Sequence, residues 1–560
     1  MENTSYTVCR QLVALCVSHG VRRVVLSPGS RNAPLLVAFA REKSIEHHVV
    51  VDERVAGFIA LGMATRSNEP VALVCTSGTA LLNYAPAVAE AYYRHVPLIV
   101  ISADRPDEWI DQDDSQTIRQ RGVMGAFVKQ SYHLPAGDDD TSLWHARRLV
   151  NDALLQAVAP CSGPVHINVP LGGALCKVVD VEPEKPSRVI DVRPVSQLSE
   201  VDALDMARSI SATSKVMVLA TMSNPSPALQ EALQQLARLP QVVVLTESIA
   251  NLRDEAFIPT IDRVLTAIDN SEKPDFAPQL LITLGGAPVS RMVKEFLRSY
   301  APLEHWRIGE ETHVIDTMQC LTRRLQLDAA SLFAQVAPLC NPAVSQYAML
   351  WSEREIVATA LHNRIVDESP WCDLRAFAML LPAIPSHTVL HLSNGTSIRY
   401  AQLFDTPQIA ASYCNRGVSG IDGSTSTALG ASMVDEACHL LITGDMSFGY
   451  DTGALATGYA SPRFKIVVID NGGGGIFRFI KGPSDLPELE ECFEVQRRQP
   501  IEGYARLHGF KYFHADNEAS LRSILPAFFA EDKQPAILAI TTPAETNAKV
   551  LRHYMRRARE

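Results

Sequence analysis

Short, β-branched apolar segments alternate with helical segments along most of this chain. In the first third of the chain these apolar segments, each bounded by turn residues, are VRRVVLS, EHHVVVDE, PVALVCTSG, VPLIVISAD and GPVHINVP. Parallel strands are buried on both faces and joined by helical crossovers, so the alternation predicts an α/β fold with largely parallel sheets. The same rhythm returns with KVMVLATMS, VVVLTES and QLLITLGGA, and again with HTVLHLSN, HLLITGD, FKIVVIDN and PAILAITTP.

The rhythm breaks at two places that we interpret as module boundaries. Glu182–Ser196 is charged, holds three prolines and is typical of a linker, and a second break lies near Pro338–Tyr347. A chain of 560 residues is also too long for a single core. We therefore predict three modules, each a largely parallel sheet flanked by helices, at residues 1–181, 197–337 and 348–560.

Composition narrows the class of protein. A formal net charge of -11 argues against nonspecific nucleic-acid binding. No apolar run approaches the roughly 18 residues of a membrane-spanning helix, and the segment MENTSYTVCRQLVALCVSHG predicts an amphipathic helix rather than a signal peptide. Eleven cysteines without a CxxC pair indicate neither a disulfide framework nor a zinc site. We expect a reduced, cytoplasmic protein.

Two strand-like segments of the third module end in polar residues. One ends at Gly444-Asp445, and the other ends at Asp470-Asn471 and is followed by four glycines. Ligands of open α/β sheets bind at the carboxyl ends of the strands. The Asp445 carboxylate, the Asn471 amide oxygen and one loop carbonyl would suit Mg²⁺, and the glycines would let the backbone approach a phosphate group. The alternative is two ordinary strand-to-helix turns, which use the same residue types.

Rival phosphate motifs are missing from the sequence. It has no GxxxxGK[ST] loop, and no GxGxxG follows a first strand. A second carboxylate stands at a predicted strand end, because Glu53 closes VVVDE and precedes the apolar segment AGFIALGMA. Glu53 is a candidate acid at the ligand edge of its sheet, and its alternative role is to stabilise a helix N-terminus.

Both segments resemble those of thiamine-diphosphate (ThDP)-dependent enzymes. GDMS and NGGGGIF resemble the GDG…N element, with Met446 in place of its second glycine and Gly472 where many relatives have another Asn. Residues 51–62 (VDERVAGFIALG) resemble the glutamate segment of the pyrimidine-binding domain. The resemblance implies pyrimidine-binding, middle and diphosphate-binding domains. It also implies ThDP held through Mg²⁺, or Mn²⁺ as the alternative, by Asp445, Asn471 and the Gly473 carbonyl.

In that family Glu53 would be the catalytic acid that hydrogen-bonds the cofactor's pyrimidine ring and maintains its imino form. The resemblance further implies a homodimer or a dimer of dimers, with each active site formed between two chains.

Arginines occur in several loops that follow strands. The planar guanidinium suits bidentate carboxylate binding. Each arginine alone is more often a solvated surface charge, but the set together favours a polyanionic substrate. Its members are Arg31, Arg105, Arg119, Arg291, Arg399 and Arg416.

The strings SPGSRNAPL, TSGTALLNYAPAVAEA, ISADRP, QTIRQ and NRGVSGIDGSTSTALG make the resemblance more specific. Over about residues 10–510 they resemble the menaquinone-pathway (MenD) family, which synthesises 2-succinyl-5-enolpyruvyl-6-hydroxy-3-cyclohexene-1-carboxylate. That family joins 2-oxoglutarate to isochorismate by a decarboxylating 1,4-addition. The substrate contacts implied by resemblance are Ser30, Arg31, Arg105, Gln116, Arg291, Arg399 and Arg416.

The same resemblance implies further cofactor contacts. Ile421 would be the apolar wedge that bends ThDP, and the others are Met446, Ser447, Gly473, Gly474, Ile476 and Phe477. Ser290 stands where some relatives have a lysine, and Gly395 stands where they have a serine. These departures affect the expected contacts around Arg291 and Arg399.

Two other functions stay open at this point. One is another ThDP-dependent 2-oxo acid decarboxylase or an acetolactate-synthase-like carboligase, which would act on smaller monoacids and need fewer arginines. The other is a catalytically inactive scaffold of the same fold, against which stand the intact Glu53, Asp445 and Asn471. For the middle module the sequence favours a structural role.

Overall fold

The computed structural model describes residues 2–194, 196–479, 482–495 and 498–556. Val195, inside the predicted linker, and residues 557–560, at the end of the predicted third module, lie outside that part. The chain forms two compact units. The first consists of Met1–Arg193, Gly417–Glu436 and Tyr450–Ser461, and the second of Pro194–Arg416, Ala437–Gly449 and Pro462–Glu560. The boundaries of the three predicted modules stay predictions.

The N-terminal part of the first unit is built on a parallel sheet of order β3-β2-β4-β5-β7-β6. The central strands β4 and β5 are buried throughout, because helices cover both of their faces. The strands are β1 (Glu2–Thr4), β2 (Arg23–Leu26), β3 (Glu46–Val49), β4 (Val71–Cys75), β5 (Leu98–Asp104), β6 (Ser131–His133), β7 (Val165–Pro170) and β8 (Val178–Asp180). The helices are α1 (Thr7–Ser18), α2 (Ala33–Arg41), α3 (Glu53–Ser67), α4 (Ala80–Asn83), α5 (Ala85–Tyr93) and α6 (Asp140–Val158).

The first half of the second unit holds a parallel sheet of order β11-β10-β9-β12-β13-β14. Its strands are β9 (Val216–Ala220), β10 (Val242–Thr246), β11 (Phe257–Ile258), β12 (Leu280–Leu284), β13 (Glu304–Ile308) and β14 (Arg323–Leu325). Its helices are α7 (Glu200–Ala212), α8 (Pro227–Ala237), α9 (Ile261–Thr266), α10 (Lys273–Phe276), α11 (Arg291–Ser299) and α12 (Ala329–Val336).

The C-terminal sheet has the order β16-β15-β17-β18-β20-β19. Its strands are β15 (Val389–Leu392), β16 (Ala411–Tyr413), β17 (His439–Gly444), β18 (Phe464–Asp470), β19 (Lys511–Ala515) and β20 (Ala536–Thr541). The helices are α13 (Tyr347–Glu368), α14 (Asp373–Ala383), α15 (Thr396–Ala401), α16 (Ser424–Ser432), α17 (Asp445–Tyr450), α18 (Ile501–Leu507), α19 (Glu518–Phe529) and α20 (Ala544–Arg556). Of these helices, α16 belongs to the first compact unit.

The predicted fold class is confirmed. Within the described ranges, the strands form three six-stranded parallel sheets, and β1 pairs antiparallel with β8 in a two-stranded sheet. The predicted N-terminal amphipathic helix is α1, which buries Leu12, Val13 and Leu15. No helix in the described part of the chain is long and apolar enough to cross a membrane.

Candidate functional site

Glu53 is the first residue of α3, directly after the turn that follows β3. Asp52 is the N-cap of this helix, and its Oδ1 accepts hydrogen bonds from the N–H groups of Arg54 (2.9 Å) and Val55 (3.2 Å). Asp52 therefore performs the capping that was the alternative role of Glu53. The Glu53 carboxylate is partly exposed, and its Oε2 accepts a bond of 3.4 Å from Asn83 Nδ2.

The helix that carries Glu53 packs against α16 through glycines. A Cβ on Gly62 would lie 2.0 Å from the carbonyl oxygen of Thr427, and a Cβ on Gly430 would lie 2.0 Å from that of Ile59. These contacts are backbone to backbone, so only glycine allows the two helices to approach this closely. The same packing surrounds Phe58 and Gly423, whose φ of +68° also favours glycine.

Asp451 caps the start of α16 from within the same unit. Its carboxylate is fully buried and accepts bonds of 2.7 Å from both the backbone N–H and the Oγ of Ser426. Burial raises the pKa of Asp451 to about 6, although the bonds from Ser426 and the charge of Arg54 lower it. Sequence reasoning missed Asp451, whose only signal is an acid in the turn GYDTG.

Glu90 holds the start of the segment that contains Ile421. The Glu90 side chain is 1% exposed, and its carboxylate accepts the backbone N–H groups of Gly417 (2.8 Å) and Val418 (2.7 Å). Ile421, the predicted wedge, is 41% exposed four residues or fewer beyond these anchors. This exposure is compatible with the predicted wedge role but is also usual for a single surface residue. Glu90 was another residue that the sequence did not single out.

The predicted substrate residues of the first unit lie at the carboxyl edge of its sheet. Arg31 Nη1 donates to the carbonyl of Leu171 at 2.8 Å, and Arg105 pairs with Asp114 at 2.9 Å. Partial burial lowers the pKa of Arg31, and the positive charge of Arg105 lowers it further. The two guanidinium groups are thus close enough to repel each other, which favours an anion beside them. Ser30 and Gln116 are both exposed.

Gln120 organises the loop that carries Gln116. It is 1% exposed, accepts the N–H of Gly78 at 2.7 Å and donates to Asn168 Oδ1 at 2.9 Å. Gln116 itself has a φ of +54°, a left-handed conformation that this fixed loop must support. Arg119, by contrast, is 81% exposed and pairs with Asp111, so it is a solvated surface charge.

In the second unit, Asp445 and Asn471 follow neighbouring strands, since β17 pairs with β18. Asp445 is 1% exposed, and its carboxylate accepts the N–H groups of Met446 (2.8 Å) and Gly472 (3.0 Å). Burial and the nearby charge of Asp470 raise the pKa of Asp445 to about 7, despite these hydrogen bonds. A buried carboxylate held this way, in a repulsive field, is suited to a cation.

The Asn471 amide is oriented by a buried acid. Its Nδ2 donates to Asp373 Oδ2 at 3.1 Å, and the other oxygen of Asp373 accepts from Thr542 Oγ1 at 2.5 Å. Because Asp373 as a carboxylate only accepts, the amide nitrogen must face it, which leaves Oδ1 as the available oxygen. Asp373 was missed by sequence reasoning, because it lies about 100 residues before Asn471 on α14.

The glycines after Asn471 adopt conformations that other residues resist. The φ of Gly472 is +86° and that of Gly473 is +142°. A Cβ on Gly473 would lie 2.4 Å from the Glu494 carbonyl oxygen, whereas the Cβ position of Gly472 has open space around it. These residues fit a diphosphate bound through a metal ion, because the site offers oxygen ligands and a backbone without side chains.

The remaining predicted cofactor residues surround this loop. Ser447 is 3% exposed, whereas Met446, Gly474, Ile476 and Phe477 are partly buried. Phe477 packs edge-on against Phe493, with ring centroids 5.6 Å apart. Met446 donates its backbone N–H to Asp445, a bond that every residue type except proline could make, so the departure from glycine preserves it.

The three predicted arginines of the second unit differ in burial. Arg416 is 7% exposed and donates to Asn394 Oδ1 (3.0 Å) and to the Pro288 carbonyl (3.4 Å). Arg399 donates to the Gly395 carbonyl, and burial together with the charge of Arg416 lowers its pKa. Arg291 is 72% exposed and pairs with Glu295 at 2.6 Å, as surface charges do.

The predicted residues are divided between the two units. The first unit holds Glu53, Ile421 and the pair Arg31 and Arg105. The second unit holds Arg399 and Arg416, together with the set Asp445, Met446, Ser447, Asn471, Gly473, Gly474, Ile476 and Phe477.

Comparisons with known proteins place the chain among named enzymes. Residues 6–123 match the family model "Thiamine pyrophosphate enzyme, N-terminal TPP binding domain". A 2-succinyl-5-enolpyruvyl-6-hydroxy-3-cyclohexene-1-carboxylate synthase from Porphyromonas gingivalis is 43% identical over 554 residues, which cover 97% of this chain and 96% of the relative. Proteins of the same name from Christiangramia forsetii and Bacteroides thetaiotaomicron are 38% and 34% identical, covering 99% and 97% of both chains.

Proposed function

The chain belongs to the 2-succinyl-5-enolpyruvyl-6-hydroxy-3-cyclohexene-1-carboxylate synthase family, and we propose that it joins 2-oxoglutarate to isochorismate with release of CO₂. It is a ThDP-dependent enzyme of the carboligase class. Its two alternatives gain no support, because the relatives carry the synthase name and Glu53, Asp445 and Asn471 are all present.

The orientation of Asn471 carries the proposal. Its amide nitrogen is engaged by Asp373, so that its oxygen, one residue beyond β18, is available beside the strand end that carries Asp445. We propose that Asp445, Asn471 Oδ1 and the Gly473 carbonyl bind Mg²⁺, or Mn²⁺ as the alternative. The diphosphate of ThDP and water would complete the octahedron that Mg²⁺ requires.

When bound, ThDP would supply a nucleophilic carbon and an electron sink for the decarboxylation of a 2-oxo acid. The protein's part is to position groups and to hold protons. Glu53 accepts a hydrogen bond from the pyrimidine ring and keeps its proton distribution suited to activation. Ile476 and Phe477 line the pocket and exclude water, which strengthens that hydrogen bond.

The arginines bind the substrates. Both 2-oxoglutarate and isochorismate are dicarboxylates, and guanidinium groups bind carboxylates with two parallel hydrogen bonds. Arg31 and Arg105, with Ser30 and Gln116, would contact carboxylates from the first unit. Arg399 and Arg416 would do so from the second, with Arg291 at the exposed start of α11. Ile421 would contact ThDP as the apolar wedge.

The proposal includes an assembly and a location. As in the family it resembles, we propose a homodimer or a dimer of dimers, in which the pyrimidine-binding module of one chain meets the diphosphate-binding module of another. None of the eleven cysteines forms a disulfide, which supports the proposed reducing, cytoplasmic setting.

The decisive experiment mixes the protein with ThDP, Mg²⁺, 2-oxoglutarate and isochorismate and follows the absorbance of isochorismate. Glu53→Gln should retain ThDP yet reduce turnover by roughly 10²–10⁴-fold, the range of general acid–base catalysis. Asp52→Asn is the matched control, since asparagine also caps helices. Full activity of Glu53→Gln would refute the role of Glu53. Decarboxylation of other 2-oxo acids without isochorismate consumption would favour the acetolactate-synthase-like alternative.

A further inference from the structure

Lys294 lies on α11, one turn after the N-cap residue Ser290. Residues four apart lie on the same helix face. Ser290 is 1% exposed, and its Oγ contacts Asp262. Val293, Phe296 and Leu297 are buried in the core of the middle sheet, and Val293 and Leu297 adjoin Ser290 and Lys294 on the same side of α11. Lys294 therefore shares the face of α11 that faces buried charged residues.

Arg416 donates to the carbonyl of Pro288, two residues before Ser290, and Arg399 lies near Arg416. Among the residues that the structure describes, neither guanidinium forms an ion pair with a carboxylate. Arg416 donates to a carboxamide and a backbone carbonyl, and its buried Nε has no acceptor in the part of the chain that the structure describes. Arg399 donates to the backbone carbonyl of Gly395. Within the same part of the chain, the Lys294 side chain forms neither a hydrogen bond nor an ion pair. Three cations thus share one region with mainly neutral partners.

Two buried acids near this cluster, Glu247 and Asp262, accept hydrogen bonds from residues at the N-terminus of α11. Glu247 Oε1 accepts the N–H groups of Val289 (2.7 Å) and Ser290 (2.8 Å), and Asp262 is engaged by the Ser290 hydroxyl. Burial raises the pKa of Glu247 to about 7 and also raises that of Asp262. Burial therefore disfavours the charged form of both acids, which weakens them as counter-charges to the cluster.

The positive charges of this cluster lower the pKa values of Lys294 and Arg399. Burial lowers the pKa of Lys294, and the charges of Arg416, Arg298 and Arg399 lower it further, against the opposing effect of Glu247. A cluster of like charges with weak counterions is stabilised when an anion binds among them. A carboxylate would supply both the charge and the acceptor oxygens that these donors lack.

We propose that Lys294 is the third cation of a carboxylate-binding site formed with Arg399 and Arg416, and that it helps select a dicarboxylate substrate. This inference rests on the proposed function, since it concerns the same substrates. The bound carboxylate belongs to 2-oxoglutarate or to isochorismate. Both substrates carry carboxylates that such a site would bind, and the experiment below distinguishes between them.

The test compares Lys294→Met, which removes the charge at similar length, with Lys294→Arg, which keeps it. Lys273→Met on α10 is the control, because Lys273 contacts only the surface residue Asn270 among the polar partners in the described structure. A hydrogen bond to a charged group corresponds to roughly ten- to a hundredfold in affinity. We expect Lys294→Met to raise the KM of one substrate by about that factor with little change in kcat, and Lys294→Arg to restore most of the loss.

Calorimetry supplies a readout that does not depend on turnover. Glutarate probes the 2-oxoglutarate carboxylates, and isochorismate itself probes the other source. A weaker Kd in Lys294→Met for one ligand, with Lys273→Met unchanged, identifies that ligand as the source. Unchanged KM and Kd values in Lys294→Met, or no binding of either ligand by the wild type, would overturn the inference. A wild type that binds glutarate but consumes no isochorismate would instead refute the proposed function.

Discussion

The glycine contact between α3 and α16 leads to a quantitative prediction for Gly430→Ala. The new Cβ would lie 2.0 Å from the carbonyl oxygen of Ile59 and 2.7 Å from its carbonyl carbon and Cα. All three are backbone atoms, so no side chain can rotate away. Ordinary contact begins at 3.4 Å, and the helices would have to separate by about 1.4 Å.

The size of the effect follows from two opposing terms. Overpacking in a well-packed interface costs about 1–3 kcal/mol and sometimes more. Alanine is better than glycine in a helix interior by about 1 kcal/mol. We expect the overpacking cost of Gly430→Ala to be about 3 kcal/mol or more, because the new Cβ would collide with backbone atoms. Gly430→Ala should therefore lower the free energy of unfolding of the first unit by at least about 2 kcal/mol.

Gly503→Ala is a matched control within another helix. Gly503 lies in α18, and its Cβ would meet only Pro500 Cβ at 3.8 Å, which is ordinary contact. The higher helix propensity of alanine alone should raise the free energy of unfolding of this variant by up to about 1 kcal/mol. The two variants change the same atoms and should shift stability in opposite directions.

Hydrogen exchange of α3 and α16 is the preferred measurement, since a chain of several modules need not unfold in two states. Urea denaturation with comparison of midpoints provides a second measurement. Because Glu53 begins α3, we also expect Gly430→Ala to reduce turnover. If the amides of α3 and α16 exchange as slowly in Gly430→Ala as in Gly503→Ala, the close contact of the two helices is wrong.

Three further predictions concern buried carboxylates. The folded pKa of Asp451, about 6, exceeds the 3.8 of an unperturbed group. Its protonation thus stabilises the fold below about pH 4, and this contribution is lost as pH rises through 6. As pH rises from about 4 to 6, the free energy of unfolding of Asp451→Asn should increase relative to that of the wild type by up to about 3 kcal/mol, as measured by urea denaturation. A difference that does not change with pH would contradict this. Asp445→Ala should abolish Mg²⁺-dependent retention of ThDP in gel filtration, whereas Met446→Gly should retain it; equal retention in both variants would place the metal elsewhere. Glu90→Ala removes the acceptor of two hydrogen bonds, each of which should contribute about 1.5–3 kcal/mol to local stability. Hydrogen exchange at Gly417 and Val418 should therefore become faster, and unchanged exchange would show that Glu90 does not hold this segment.

The strand order of the middle sheet contains a reversal, and ligands of open α/β sheets often bind at such a position. Strand order reverses between β9 and β12, the position where open α/β sheets form a ligand crevice. Here the two strand ends are bonded to each other, because Thr221 Oγ1 donates to the Gly286 carbonyl at 2.6 Å and Gly286 N–H donates to the Met222 carbonyl at 2.8 Å. A Cβ on Gly285 would lie 2.7 Å from the Thr221 oxygen. This closed arrangement favours a structural role for the middle module.

Most strands that the sequence predicted are central in their sheets, although the edge strand β3 was also predicted and the internal strand β13 was missed. The central strands, such as β4, β5, β9 and β18, are buried along their length, and their continuous apolar runs are visible in the sequence. The missed strands include the sheet edges β6, β14 and β19, where burial is partial or alternates with exposure. An edge strand is covered on fewer sides, so its sequence carries less of the pattern that identifies strands.

The candidate site divides in the same way. Asp445, Asn471 and Glu53 were predictable because each follows a strand-like segment, and the carboxyl ends of parallel strands meet at one edge. Which acid caps α3 was not predictable, since Asp52 and Glu53 are adjacent and either could do so. Only the structure assigns that bond to Asp52.

The sequence by itself determined the fold class, the family and the strand ends that carry the proposed cofactor residues, because local periodicity and short motifs contain this information. Only the tertiary structure decided which charges are buried and what holds them. Asp373 orients Asn471, and Glu90 anchors the segment before Ile421. Each of these contacts joins residues far apart in the chain, so its existence depends on how the sheets and helices pack, which no local pattern records.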